Sequence, residues 1–209
     1  MIGDLRIAVP RGALFGETLD LLDTLGVDTA EVRSNDRKLL FDSGQLITMR
    51  PSDVPTYVEA GAADIGITGK DVLMEQSERN VYELVDLGFG RCSMVLASVE
   101  GDDAAGEALR RLGVMRVATK YPKTAAAYFE RTGRQAEIVE VKGSVELAPL
   151  TGLAEAIVDL TATGTTLREN GLVVREEIAV ATARLIANPV AHKLKAAAID
   201  DVLERLRER

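Results

Sequence analysis

The sequence predicts an α/β protein made of two lobes, and three observations carry that prediction. Short apolar runs bounded by Gly, Pro or Asp alternate with longer segments of helical period, the pattern of βα units on largely parallel sheets. Aromatic residues make up only 4% of the chain and Trp is absent, so the core must be built from Leu, Ile, Val and Ala, as α/β cores usually are. The alternation pauses over the acidic, Gly-containing stretch 100–113 and restarts at Arg116, as a second unit would. A chain of 209 residues can bury one large core or two small ones without disulfide or metal staples.

The expected strands, in order, are 5–9, 45–49, 64–68, 82–87, 91–98, 116–119, 137–141, 156–160 and 173–183. Each is a short run of Val, Ile, Leu or Ala flanked by turn residues. Three helices carry both a period and a stop signal: 17–25 ends before Gly26, 53–60 ends at Gly61, and 121–131 ends before Gly133. A last helix, 190–207, places Val190, Leu194, Ala198, Val202 and Leu206 at intervals of four against a charged opposite face, so it should lie on a sheet or a neighbouring subunit. The predicted lobes are 1–98 with 180–209, and 99–179, joined by two crossings with a ligand cleft between them.

Composition narrows the function. A net charge of −8 argues against binding to a polynucleotide backbone, which draws affinity from clustered Lys and Arg. An anionic small molecule remains possible, because a few local amides and cations suffice. With one cysteine, Cys92, and one histidine, His192, soft metal ligands are nearly absent, so an expected metal is a hard cation such as Mg²⁺. Neither Cys92, a small strand residue with no histidine near it in sequence, nor His192, beside a helix start, is assigned a role. There is no secretory pattern at the first residues and no apolar run of membrane-spanning length, so the expected location is the cytoplasm.

The richest stretch lies between Gly152 and Leu172. A buried strand, 156–160, leads into Thr161, Ala162, Thr163, Gly164, Thr165 and Thr166, and a short helix, 167–170, stops at Gly171. Four hydroxyls, one glycine and a set of helix-start amides suit a phosphate, because those amides lack intrahelical partners and carry positive partial charge. The plainer explanation is helix capping, which one threonine would satisfy. Glu155 and Asp159 are four apart, so they share a strand face, and both are expected to approach the loop. They could accept ribose hydroxyls or help to place Mg²⁺.

These residues resemble the signature of the ATP phosphoribosyltransferases, enzymes of the first step of histidine biosynthesis. The likeness runs through 9–14, 50–55, 64–71, 88–92, 118–122, 143–149 and 152–172, essentially the whole chain in order. It implies two lobes similar to type II periplasmic binding proteins, with the 5′-phosphate of phosphoribosyl pyrophosphate (PRPP) on Thr161 to Thr166 and Asp159 near the ribose. It places ATP near Arg11, Gly12, Arg50, Thr68, Gly69, Lys120 and Tyr121. It also implies catalytic roles for Arg37 and Arg11, with Arg37 at the pyrophosphate leaving group.

The implied reaction is attack of adenine N1 on C1 of PRPP, with Mg²⁺ bridging pyrophosphate and ribose oxygens and no direct protein ligand expected, Asp159 being the candidate exception. Positioning and charge stabilisation would carry such a displacement. Because the chain stops one helix beyond Ala187, it resembles the short form of the family, whose members work with a regulatory subunit similar to histidyl-tRNA synthetase, as a hetero-octamer. Many members read Lys-Gly-Arg where this chain reads Arg11, Gly12 and Ala13. Two rivals remain in view. A ligand-binding module without catalysis would share the cleft. A nucleobase-salvage phosphoribosyltransferase would place two adjacent acids before the phosphate loop, where this chain has Asp159 followed by Leu160.

Overall fold

A computed structural model describes residues 4–41, 45–101 and 103–208. The chain divides into two units, Met1–Gly90 with Thr182–Arg209, and Arg91–Ala181. The first contributes β1 (Ile7–Pro10), α1 (Phe15–Thr24), α2 (Ala30–Ser34), β2 (Leu40–Phe41), β3 (Leu46–Met49), α3 (Val54–Glu59), β4 (Ile65–Gly69), α4 (Lys70–Glu75) and β5 (Tyr82–Asp86). The second holds β6 (Cys92–Val99), α5 (Ala104–Leu112), β7 (Met115–Thr119), α6 (Pro122–Thr132), β8 (Ala136–Glu140), α7 (Leu147–Leu150), β9 (Ala156–Thr161), α8 (Thr165–Glu169) and β10 (Leu172–Ala181). The chain then returns to the first unit as β11 (Ala183–Ala187), α9 (Pro189–Leu194) and α10 (Ala196–Arg207).

Each unit is a sheet covered on both faces. The first sheet runs β2-β3-β1-β4-β11-β5, the second β10-β6-β9-β7-β8. In β1, Ile7 and Val9 face a core shared with Leu19, Leu22 and Ile199, whereas Ala8 faces Val54, Val58 and Ile186 on the other side. That is the period-two alternation of a strand buried on both faces. The second unit repeats the arrangement: Val117, Ala156 and Val158 pack with Ala125, Tyr128 and Phe129, while Ala118 and Ile157 pack with Ala148 and Leu167.

The sheets are mixed, not largely parallel. Among the described residues, only β1–β3 and β1–β4 are parallel in the first, and β7–β8 and β7–β9 in the second. The strands next to the crossings, β11 and β6, run against their neighbours β4 and β9. The expected strand 173–183 is two strands, because the chain changes sheet at Thr182: β10 pairs with β6, and β11 pairs with β4 and β5. For the same reason the first crossing falls between Gly90 and Arg91, earlier than the boundary placed at 98, and the stretch 100–113 holds α5.

The last helix is broken as well. Lys195, at φ −118° and ψ 30°, leaves the helical region and binds Asp64 Oδ2 through Nζ at 2.9 Å. Ala198, Leu203 and Leu206 therefore pack on the first core beside buried Ile199 and Val202, but Val190 and Leu194 are exposed. Among the described residues no helix is long and apolar enough to cross a membrane.

Candidate active site

The parallel strands of each sheet deliver their carboxyl ends to the residues singled out by the sequence. β1 ends at Pro10 and is followed by Arg11, β3 ends before Arg50, and β4 ends at Gly69. In the second unit β7 ends before Lys120, and β9 runs into the threonine loop. Ligands of α/β sheets bind outside such carboxyl ends.

In the second unit the loop 161–166 presents Ala162, Thr163, Thr165 and Thr166 to solvent. It is also knit to itself. Gly164 N–H donates to Thr161 Oγ1 at 2.8 Å, Thr165 N–H reaches Thr163 Oγ1 at 3.4 Å, and the Thr163 and Thr165 hydroxyls are 2.8 Å apart. Part of the amide set expected to be open is thus occupied by the loop's own hydroxyls. Gly164 turns the chain with φ +72°, a left-handed conformation that costs an L-residue about 1–2 kcal/mol. A Cβ there would stand 2.9 Å from Arg168 Nη1.

Arg168 was not expected at this site. Its Nη1 donates to Thr163 O at 2.9 Å and its Nη2 to Thr165 Oγ1 at 3.0 Å. The signal was present: on a helix, a side chain leans toward the amino end and meets the residue three or four positions earlier. Arg168 stands four residues after Gly164.

Asp159 and Lys120, assigned to different substrates on the sequence, are partners. Asp159 Oδ1 lies 3.2 Å from Lys120 Nζ across the neighbouring strands β9 and β7. Burial pushes the Asp159 carboxyl up from its ordinary range, and the nearby Lys120 ammonium opposes the shift. Lys120 also lies over the Tyr121 ring, 5.3 Å from its centroid.

Glu155 does not join them. It precedes β9, at the amino end of the strand, and four residues of extended chain put about 13 Å between it and Asp159. Sharing a strand face does not mean sharing an end. The carboxylate is taken up by Arg116, through the backbone N–H at 2.6 Å and the guanidinium Nε at 3.0 Å. Burial works against the Glu155 charge, but the Arg116 contacts outweigh it and hold the carboxyl below its ordinary range.

In the first unit Arg11 is only partly exposed and is bound to its own chain. Nη1 pairs with Asp36 Oδ1 at 3.3 Å, and Nη2 donates to Asn35 O at 3.2 Å and Lys38 O at 2.9 Å. Gly12 beside it is exposed. Arg37 sits at the tip of that braced segment with its side chain exposed. Arg50 is also exposed, and Asp53 Oδ1 near it accepts from the Ser52 hydroxyl at 3.4 Å. Thr68 is fully buried and donates its hydroxyl to Pro51 O at 2.8 Å, so its side chain supports the turn after Arg50. Gly69 is buried where a Cβ would stand 2.0 Å from Asp71 Oδ1, so that side chain would have to shift to admit one. His192 is half-buried, its ring edge-on to Tyr82 with centroids 5.4 Å apart; Cys92 is half-buried in β6.

Each of the two α/β units places cations or hydroxyls at the carboxyl ends of parallel strands, an arrangement chemically suited to anionic small molecules. The fold is shared with the periplasmic sulphonate-binding protein SsuA of Escherichia coli, at 15% identity, a TM-score of 0.60 and coverage of 98% of this chain and 71% of that one. It is shared equally with the second periplasmic domain of Bordetella pertussis BvgS, at 16% identity, a TM-score of 0.62 and coverage of 98% and 86%. Those likenesses concern fold alone. More specific is the match of residues 50–208 to the ATP phosphoribosyltransferase family model.

Curated relatives carrying that name include one from Rubrobacter xylanophilus, 56% identical over 95% of this chain and 93% of its own length, and one from Bacillus subtilis, 45% identical over 97% and 93%. The solved ATP phosphoribosyl transferase (HisG:HisZ) complex of Thermotoga maritima contains a chain that is 36% identical, with a TM-score of 0.81 and coverage of 98% and 97%. The chain belongs to the ATP phosphoribosyltransferase family, the pentosyltransferases of histidine biosynthesis.

Proposed function

We propose that this chain transfers the 5-phosphoribosyl group of PRPP to N1 of ATP, giving phosphoribosyl-ATP and pyrophosphate. The observation that carries the proposal is the loop 161–166, with its exposed hydroxyls and its Arg168 strut, beside the Asp159–Lys120 pair. In this reading the loop takes the 5′-phosphate and Asp159 faces the ribose, whereas Glu155 drops out because Arg116 holds it at the other end of β9. Of the residues expected at ATP, Gly12, Arg50 and Gly69 keep that assignment, as do Lys120 and Tyr121, whereas Thr68 acts through the turn it supports and Arg11 is spent on the 35–38 segment.

The N1–C1 bond forms as the bond from C1 to the pyrophosphate oxygen breaks, and the leaving group departs with the electron pair. No covalent enzyme intermediate is needed, so binding, alignment and charge stabilisation supply the rate. Arg37, exposed and cationic, is proposed to stabilise the departing pyrophosphate. Among the described residues no group of three or more His, Cys, Asp or Glu could hold a metal ion. The donor set fits a cation carried on substrate oxygens, with Asp159 as the nearby acid. Mg²⁺ bound in that way would neutralise pyrophosphate charge.

We further propose a cytoplasmic enzyme working with a regulatory subunit similar to histidyl-tRNA synthetase, in a hetero-octamer. The Thermotoga maritima structure, a HisG:HisZ complex, supports such a partner. Pyrophosphate release from PRPP, measured with and without ATP and with and without that subunit, tests the activity. Release that requires ATP is expected, and ATP-independent release or none under any condition contradicts it. Arg37→Ala should lower kcat about 10²–10³-fold, the scale of losing one charge-stabilising donor, with KM for both substrates little changed. Unchanged turnover would remove Arg37 from the mechanism.

A further inference from the structure

Arg11 was expected to touch substrate, but its guanidinium is spent on the protein. Its side chain retains 21% exposure, Nη1 lies 3.3 Å from Asp36 Oδ1, and Nη2 donates to the Asn35 and Lys38 carbonyls at 3.2 and 2.9 Å. The guanidinium carbon stands 5.0 Å from the centroid of the Phe15 ring, and Nε is buried with no hydrogen-bond partner. Three oxygens, all from residues 35–38, thus converge on one planar cation.

That segment is also tied from within. Asn35 Oδ1 accepts from the N–H groups of Arg37 at 3.2 Å and Lys38 at 3.0 Å, the turn typical of an Asn side chain. The exposed Arg37 therefore sits between two residues whose carbonyls are pinned by Arg11, which follows β1 directly. Arg11 N–H is itself anchored to Met49 O at 2.7 Å, so the brace stands on the sheet. A planar fork can serve several acceptors at once in a way that one ammonium cannot.

We infer that Arg11 is a positioning residue, which fixes the 35–38 segment so that Arg37 meets the leaving group, and that it does not itself bind substrate. The inference rests on the reading of Arg37 given under the proposed function. Arg11 acts through Arg37, so the two residues must be energetically coupled.

The test is a double-mutant cycle in steady-state kinetics on the full chain with its regulatory subunit, using Arg11→Ala, Arg37→Ala and the double variant. Arg11→Ala alone should lower kcat about 10²-fold, the scale of a displacement of about 1 Å at a reacting group, with KM for PRPP and ATP little changed. In the Arg37→Ala background the same change should cost less than about threefold, since no positioned group remains to misplace. Arg11→Gln keeps the bulk beside Phe15 and a donor for one carbonyl; it should show the same split between kcat and KM if the alanine variant fails to fold.

Hydrogen exchange of the backbone amides in 35–39 should quicken in either Arg11 variant and stay as in the wild type in Arg37→Ala. Additive losses, a rise in KM with kcat preserved, or unaltered exchange would each overturn the inference. If Arg37→Ala alone leaves kcat unchanged, the Arg37 reading fails first and the positioning role falls with it. If only the Arg11 variants are silent, the Arg37 reading stands and the brace is refuted.

Discussion

Asp159 is 7% exposed and keeps company with a single cation, Lys120, at 3.2 Å. Its carboxyl is pushed above the usual range by burial, so near neutral pH its charge is held at a cost to the fold. A raised carboxylate pKa means that the native state binds the proton more tightly than the unfolded chain does, so stability is lost as pH rises from the unfolded carboxylate range through the folded pKa. Asp159→Asn should therefore raise the melting temperature while weakening PRPP binding, the exchange expected where a site is built against stability. A variant that loses both stability and binding would show a structural residue instead. Loop 161–166 was legible because threonine, glycine and helix-start chemistry are local. Arg168 was legible only through its helical spacing from Gly164, and the Arg11 brace was not, since sequence lists a cation without saying which oxygens it will meet. Arg11 was placed on the substrate for that reason, and Thr68 likewise, although its hydroxyl is turned inward on Pro51.

A strand has two ends as well as two faces, and β9 uses both. Asp159 and the threonine loop stand at its carboxyl end, whereas Glu155 is clamped by Arg116 at the amino end. Period-two reasoning put Glu155 and Asp159 on one face, and the same four-residue spacing parts them by about 13 Å, which the expectation that both approach the loop left out. The Glu155 carboxyl lies below its ordinary range, so its stabilising contribution is present above the unfolded carboxylate range and is lost as pH falls from there through the lower folded pKa. Denaturant unfolding between about pH 6 and pH 3 should show wild-type stability falling more steeply than that of Glu155→Gln. Parallel curves would show that the Arg116 clamp contributes nothing. Element positions were readable to within a few residues because buried strands are short and apolar. The two misread elements, 173–183 and 190–207, fail at Thr182 and Lys195, where a change of sheet and an ion pair with Asp64 override a continuous pattern.

At the scale of the molecule, two cores were foreseeable from the restart of strand and helix alternation, but the crossing points were not. A strand reads the same whichever sheet receives it, so 91–98 was assigned to the first unit although β6 pairs with β9 and β10. The second unit, Arg91–Ala181, is one continuous stretch with cores of its own on both sheet faces. Expressed alone, residues 91–181 should unfold cooperatively on heating, as domains of that size can. A broad, non-cooperative melt would contradict the independence of that core. Loop 161–166 is proposed to hold the 5′-phosphate, and equilibrium binding of PRPP to the wild type and to Gly164→Ala tests that role most directly. The substitution leaves every hydroxyl in place but forces a left-handed alanine against Arg168, so the account predicts that the wild type binds and that affinity falls about tenfold or more, the equivalent of about 1.4 kcal/mol. Equal affinity in the two proteins, or no binding by the wild type, would contradict it.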